Sequence, residues 1–233
     1  MGSVERRNQI LFLMTAALLV PRVGTAEDNG RYLLSIRAGL LTFVEGKPTV
    51  TMPAVGHHDK RVLEPGNRLE THHGDKVEIS LGPGNYLRVG EDTQVVAVQT
   101  TYNRMCFVVM TGTVILQAPR VDKKSLALEV STPSGNLTVV KGGRWRLEVS
   151  PSGEVEVLAF KGILEWFSQE QKIATLTRGN HYTLGSPSPG ELQQLKLERR
   201  RKDYLDRWSD RRSGILLQQE FGINRSSQGR EHH

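Results

Sequence analysis

Leu63-Glu64-Pro65-Gly66-Asn67-Arg68-Leu69-Glu70-Thr71-His72-His73-Gly74-Asp75-Lys76-Val77-Glu78-Ile79-Ser80-Leu81-Gly82-Pro83-Gly84-Asn85-Tyr86-Leu87-Arg88-Val89-Gly90-Glu91 is the stretch on which the fold turns. Val77, Ile79 and Leu81 fall on one side of an extended chain and Lys76, Glu78 and Ser80 on the other, because successive side chains of a strand alternate between faces. Gly82-Pro83-Gly84 stops that strand, Tyr86-Leu87-Arg88-Val89 restarts it, and Gly90-Glu91-Asp92 turns the chain into Gln94-Val95-Val96-Ala97-Val98. The pattern continues further on. Trp145, Leu147 and Val149 alternate with Arg144, Arg146 and Glu148, Pro151-Ser152-Gly153 makes a turn before Val155 and Val157, and Lys161-Gly162 leads into Ile163-Leu164-Glu165-Trp166-Phe167. Between Tyr32 and Leu184 no segment has helical spacing, so the body is expected to be all-β. Short alternating strands need a second apolar face to cover them, which leaves a sandwich, a barrel or a solenoid-like roll.

The chain has 233 residues with one cysteine, which excludes a disulfide scaffold. Its 31 basic and 25 acidic residues invite a nucleic-acid reading, and the location of the surplus argues against it. Residues 27–190 carry eighteen Lys/Arg against seventeen Asp/Glu, so the body is almost neutral, and the excess lies in residues 1–26 (three against one) and 191–233 (ten against seven). No nucleic-acid partner is expected. Residues 1–26 read as a Sec-type export signal. Arg6 and Arg7 precede the apolar run Ile10–Val20, and Gly24-Thr25-Ala26 offers small residues for cleavage after Ala26. Eleven apolar residues are too few for a spanning helix, which needs about twenty, so a periplasmic or secreted mature chain without a transmembrane helix is expected.

The run from Leu63 to Glu91 resembles the FecR domain, whose pattern is a Pro-Gly turn, Arg-aliphatic-Glu-Thr, an alternating strand and a Leu-Arg-aliphatic-Gly strand end. Thr132-Pro133, Val139, Gly142-Gly143-Arg144-Trp145-Arg146-Leu147-Glu148-Val149, Gly153, Val155, Val157 and Lys161-Gly162 are similar to its second half. The resemblance implies a solenoid-like or sandwich β module over residues 38–184. Membrane-bound members of that family carry a cytoplasmic segment that handles a sigma factor. This chain is more similar to the stand-alone exported type without that segment, so direct sigma-factor control is not expected.

Around this module the sequence divides into a lead-in at 27–37, a linker at 185–190, a helical tail at 191–223 and a disordered end at 224–233. Ser188, Pro189 and Glu191 have the spacing of a capped helix start, and Leu192, Leu195, Leu205 and Trp208 make an apolar stripe. Ser213-Gly214 is expected to break that helix before a short second one over Ile215–Phe221. Arg199-Arg200-Arg201-Lys202 is the one strongly basic cluster, and Glu198/Lys202, Arg199/Asp203, Lys202/Asp206 and Asp203/Arg207 have the i,i+4 spacing of a solvated helix face. Arg199, Arg200, Arg201, Lys202 and Trp208 are the candidate partner-binding residues, with docking of Trp208 onto the β module as the competing reading.

No phosphate loop, nucleophile elbow or HExxH motif occurs. His57-His58, His72-His73 and His232-His233 have no Cys or carboxylate at metal-site spacing, so neither metal nor cofactor is expected. Cys106 lies in an apolar run and reads as a buried inert thiol. The expected function is that of a non-enzymatic exported interaction and signalling module acting on an envelope protein. The alternative is a carbohydrate-binding module built on Tyr86, Tyr102, Trp145, Trp166 and Tyr182. An aromatic row on an open sheet face would favour sugar, and an apolar patch rimmed by polar residues would favour a protein.

Overall fold

Thirteen strands and one helix follow from this alternation in the computed structural model, which describes residues 38–52, 61–101, 103–122, 126–185, 190–198 and 202–221. The strands are β1 (Leu41–Glu45), β2 (Thr49–Thr51), β3 (Arg68–Glu70), β4 (Lys76–Ser80), β5 (Tyr86–Val89), β6 (Gln94–Thr101), β7 (Arg104–Asp122), β8 (Ala127–Thr132), β9 (Gly135–Val149), β10 (Val155–Ser168), β11 (Gln171–Thr177), β12 (Asn180–Leu184) and β13 (Leu192–Lys196), followed by α1 (Tyr204–Phe221). Hydrogen bonding joins all thirteen, and the registers resolve them into two layers. Layer A runs β1-β4-β5-β7-β9-β10-β12-β13, and layer B runs β2-β3-β6-β7-β8-β9-β10-β11. Every pairing is antiparallel except β7 with β8.

Three strands belong to both layers. β7 pairs with β6 and β8 through its first half and with β5 and β9 through its second. β9 and β10 cross between layers in the same way. The crossings fall at Gly112, Gly142-Gly143 and Gly162. Gly112 and Gly162 sit at φ +94° and +91°, where a side chain is strained, and a Cβ on Gly143 would lie 1.9 Å from the Lys161 carbonyl oxygen. The sequence reading took Lys161-Gly162 as a boundary between strands. It is a bend inside one strand, because the ladder resumes with a shifted register on its far side.

The inner faces of both layers form one core that includes Val77, Ile79, Leu87, Phe107, Leu116, Trp145, Leu147, Val157, Leu164, Trp166 and Tyr182. Trp145 and Trp166 are fully buried, and each contributes about 4–6 kcal/mol of apolar burial before entropy is counted. The all-β body with a C-terminal helix therefore matches the expectation.

The tail departs from it in detail. Leu192–Lys196 is a strand paired in register with β12, from Leu184↔Leu192 to Asn180↔Lys196, and Gly185 N–H closes the hairpin onto the Glu191 carbonyl at 2.9 Å. A five-residue segment gains ladder bonds from the otherwise open edge of β12, whereas a short helix on its own is marginal in water. Ser188 and Pro189 lie outside the described residues, and Glu191 leads into a strand rather than a helix. The helix begins at Tyr204, where Asp203 Oδ1 caps it by accepting the Asp206 N–H at 2.9 Å. It does not break at Ser213-Gly214. Ser213 Oγ donates back to the Ser209 carbonyl at 2.9 Å and the helix runs on to Phe221. Residues 1–37 and 222–233, and with them the export signal, the lead-in and the terminal end, lie outside the described residues.

Candidate functional site

Alternation puts Glu78, Arg88, Ile115, Arg144 and Arg146 on the outer face of layer A. The structure covers that face with α1. Glu78 and Arg88 are fully buried, and Arg88 Nε donates to Glu78 Oε2 at 2.8 Å. From the helix, Arg212 reaches Glu78 Oε1 at 2.8 Å, and Arg88 Nη1 donates to Ser209 Oγ at 2.7 Å and Ser213 Oγ at 3.0 Å. Thr42 and Gln117 complete the cluster from β1 and β7, at 3.0 Å from Glu78 and 2.8 Å from Arg88. Burial pulls the Arg88 guanidinium below its usual value, against the opposing pull of the Glu78 carboxylate.

A second set of ion pairs fixes the start of the helix. Arg146 meets Glu148 at 2.6 Å, Asp203 at 2.6 Å and Asp206 at 3.3 Å. Lys76, almost fully buried, meets Glu45 at 2.6 Å and donates to the Tyr204 hydroxyl. A cavity of about 160 Å³ opens here, lined by Asp75, Lys76, Glu91, Arg146, Asp203 and Tyr204 among others. Its two cations already face carboxylates, so it offers an incoming anion little uncompensated charge.

The predicted partner-binding residues separate. Arg199, Arg200 and Arg201 lie outside the described residues. Lys202 is exposed and pairs with Asp210 at 2.7 Å, and Asp203 and Asp206 turn to Arg146, so the i,i+4 pairs expected of Lys202 with Asp206 and Asp203 with Arg207 do not form. The reason is that Lys202 and Asp203 precede the first helical turn. Trp208 is only 4% exposed and packs on Phe43, at a ring-centroid distance of 5.7 Å, with Ile115 and Leu205.

The outer face of layer B carries no helix among the described residues. Val98 is 51% and Met110 43% exposed, and Val96, Cys106 and Val108 are half-buried beside them. Val96 stands opposite Val108 across the β6–β7 ladder, and Arg68, Glu70, Gln94, Arg104 and Glu129 lie around this apolar strip. Cys106 is thus half-buried on an outer face rather than in the core, 3.9 Å from Ser131 Oγ. Burial pushes its thiol up, which keeps it protonated and unreactive. Of the aromatic candidates, Trp145, Trp166 and Tyr182 are core residues, Tyr86 is half-buried with Arg88 over its ring, and Tyr102 lies outside the described residues.

Sequence reasoning missed one cluster. His73 Nδ1 lies 3.1 Å from Glu91 Oε2 and 3.9 Å from Asp92 Oδ2. The eighteen-residue separation hid it. The signal was the pair of polar turns, His72-His73-Gly74 and Gly90-Glu91-Asp92, at the same end of the hairpin formed by β4 and β5.

Comparison with known proteins finds a family match for part of the chain. Residues 67–165 match the family model described as FecR protein. This segment is a FecR domain. Two crystal structures, at 2.50 and 1.65 Å, of a candidate anti-sigma factor from Parabacteroides distasonis are similar at 13% identity and a TM-score of 0.46, and cover 56% of this chain. The aligned part spans 60% of the length of that protein. No curated protein matches the sequence. The FecR match ends within β10, whereas the physical domain continues, since β11 to β13 extend both layers and α1 covers the buried pair of Glu78 and Arg88 and hydrogen-bonds both. No helix among the described residues is long and apolar enough to cross a membrane.

Proposed function

We propose that this FecR-domain chain is a non-enzymatic, exported interaction module that takes part in signalling by binding a protein of the cell envelope, and that the outer face of layer B is its docking surface. The observation that carries this reading is the strip Val96, Val98, Cys106, Val108 and Met110, apolar at its centre, polar around it and not covered by the helix that closes the opposite face. Apolar surface of this kind on a sheet face marks protein contact. The sugar-binding alternative needs flat aromatic rings in solvent, and burial of Trp145, Trp166 and Tyr182 withdraws its main candidates.

The test is in-cell photo-crosslinking with a reactive residue at position 98 or 110, with position 195, an exposed leucine on β13 of layer A, as the control. A discrete envelope protein captured from 98 and 110 and not from 195 is the expected result. Capture of glycan alone, or equal capture at all three positions, overturns the assignment. Fractionation tests the address separately: a chain retaining Met1 to Ala26 in the cytoplasm refutes export.

A further inference from the structure

His73, Glu91 and Asp92 bring one imidazole nitrogen and two carboxylates to a single point on the surface, all three ligand atoms lying within 4.8 Å of one another. In a tetrahedral zinc site with bonds of about 2.0–2.1 Å, neighbouring ligand atoms stand about 3.3 Å apart. The separations of 3.1 and 3.9 Å from His73 Nδ1 bracket that distance. One imidazole nitrogen and two carboxylate oxygens are also a set of donors that a divalent cation can share.

The two turns bearing these ligands are clamped beneath the surface. Thr71 and Thr93 are buried, and Thr71 Oγ1 donates to the Gly90 carbonyl at 2.6 Å while accepting the Thr93 N–H at 3.0 Å. The Thr71 N–H donates to the Thr93 carbonyl at 2.9 Å, tying the turns a third time. On the Glu91 side chain, the Gly74 N–H holds Oε2 at 2.7 Å and so aims the carboxylate at His73. Ligands on a pre-set scaffold lose little freedom on binding, and such outer-shell support is worth about 10–100-fold in metal affinity.

From this geometry we infer that His73, Glu91 and Asp92 form a binding site for one divalent transition-metal ion, Zn²⁺ by ligand type. One nitrogen and two carboxylate oxygens are a donor set for a borderline ion, with water completing the coordination, and are too few for Ca²⁺, which takes six to eight oxygens. The His73 side chain is 91% exposed, so the ion exchanges freely with solution and the occupancy follows the metal level outside the protein. The ion staples the turn before β4 to the turn after β5.

The test is calorimetric titration of the full chain with zinc chloride at neutral pH. Because His57, His58, His232 and His233 could bind zinc weakly, it is repeated on H73A, E91Q and D92N and on a variant with those four histidines replaced by alanine. One saturable site is expected, weakened at least tenfold in H73A and E91Q, weakened in D92N, and retained in the four-histidine variant. Each variant is checked by its melting temperature without metal, which should match the parent since all three side chains are exposed. Equal affinity in H73A and the parent, absence of saturation below millimolar zinc, or calcium binding as tight as zinc overturns the assignment.

Discussion

Replacing Glu78 by glutamine tests the idea that α1 is held chiefly by charge. The side chain is fully buried and its carboxylate takes hydrogen bonds from Arg88 at 2.8 Å, Arg212 at 2.8 Å and Thr42 at 3.0 Å. Glutamine keeps the shape and removes the carboxylate that, among the described residues, pairs with the fully buried Arg88, so an uncompensated cation remains under the helix. Breaking a buried pair from one side costs about 3–5 kcal/mol. For a domain of this size each kcal/mol moves the melting temperature by about 2–4 °C, giving a fall of about 6–20 °C. Arg212 is less affected because its side chain is 15% exposed and can reach water. Removing both partners in E78M/R88M should recover most of the loss, since apolar groups of similar volume need no countercharge. Urea denaturation followed by circular dichroism measures both. A loss below about 1 kcal/mol in E78Q, or a double variant no more stable than the single one, refutes the argument.

Other consequences can be checked in the same way. W208A empties the small apolar contact among Phe43, Ile115 and Leu205 and should cost about 3 kcal/mol, read as faster tryptic cleavage at Arg207, Arg211 and Arg212. G162A combines φ +91° with a Cβ 2.5 Å from Trp145 Cζ2 and should cost more than about 4 kcal/mol, whereas G179A, at φ +84° with nothing within 4 Å, should cost about 1–2 kcal/mol; equal losses would remove steric closeness as the cause. Asp210 and Glu45 should make stability fall in acid. Burial raises Asp210 but Lys202 and Arg144 outweigh it, and the Lys76 hydrogen bond holds Glu45 down, so both have lowered values in the folded state. Their contribution is complete above the unfolded carboxyl range, about 3.9–4.3, and is lost as pH falls through the lower folded values. Melting temperature should therefore hold from pH 7 to 5 and drop below about pH 4, less steeply in D210N.

The strand alternation from Lys76 to Ser80 and from Arg144 to Val149 was legible because a period of two is a local property. What covers the outer face of Glu78, Arg88 and Arg146 was not, because the answer lies 60 or more residues away in α1 and alternation alone does not show which face is covered. Leu192 and Leu195 have spacing compatible with a helix, and only the free edge of β12 decides for a strand. The pair His73 and Glu91 was hidden for the same reason, as each turn is unremarkable until the hairpin closes.

The described chain enters the domain through β1, an edge strand of layer A, and leaves it along α1 on the outer face of that same layer. Both the first strand and the last element of the described body thus belong to the layer A side. A contact made through β1 or α1 of layer A leaves Val98 and Met110 of layer B free of it. The described body thus has a back, closed by its own helix, and a front that its own chain leaves open.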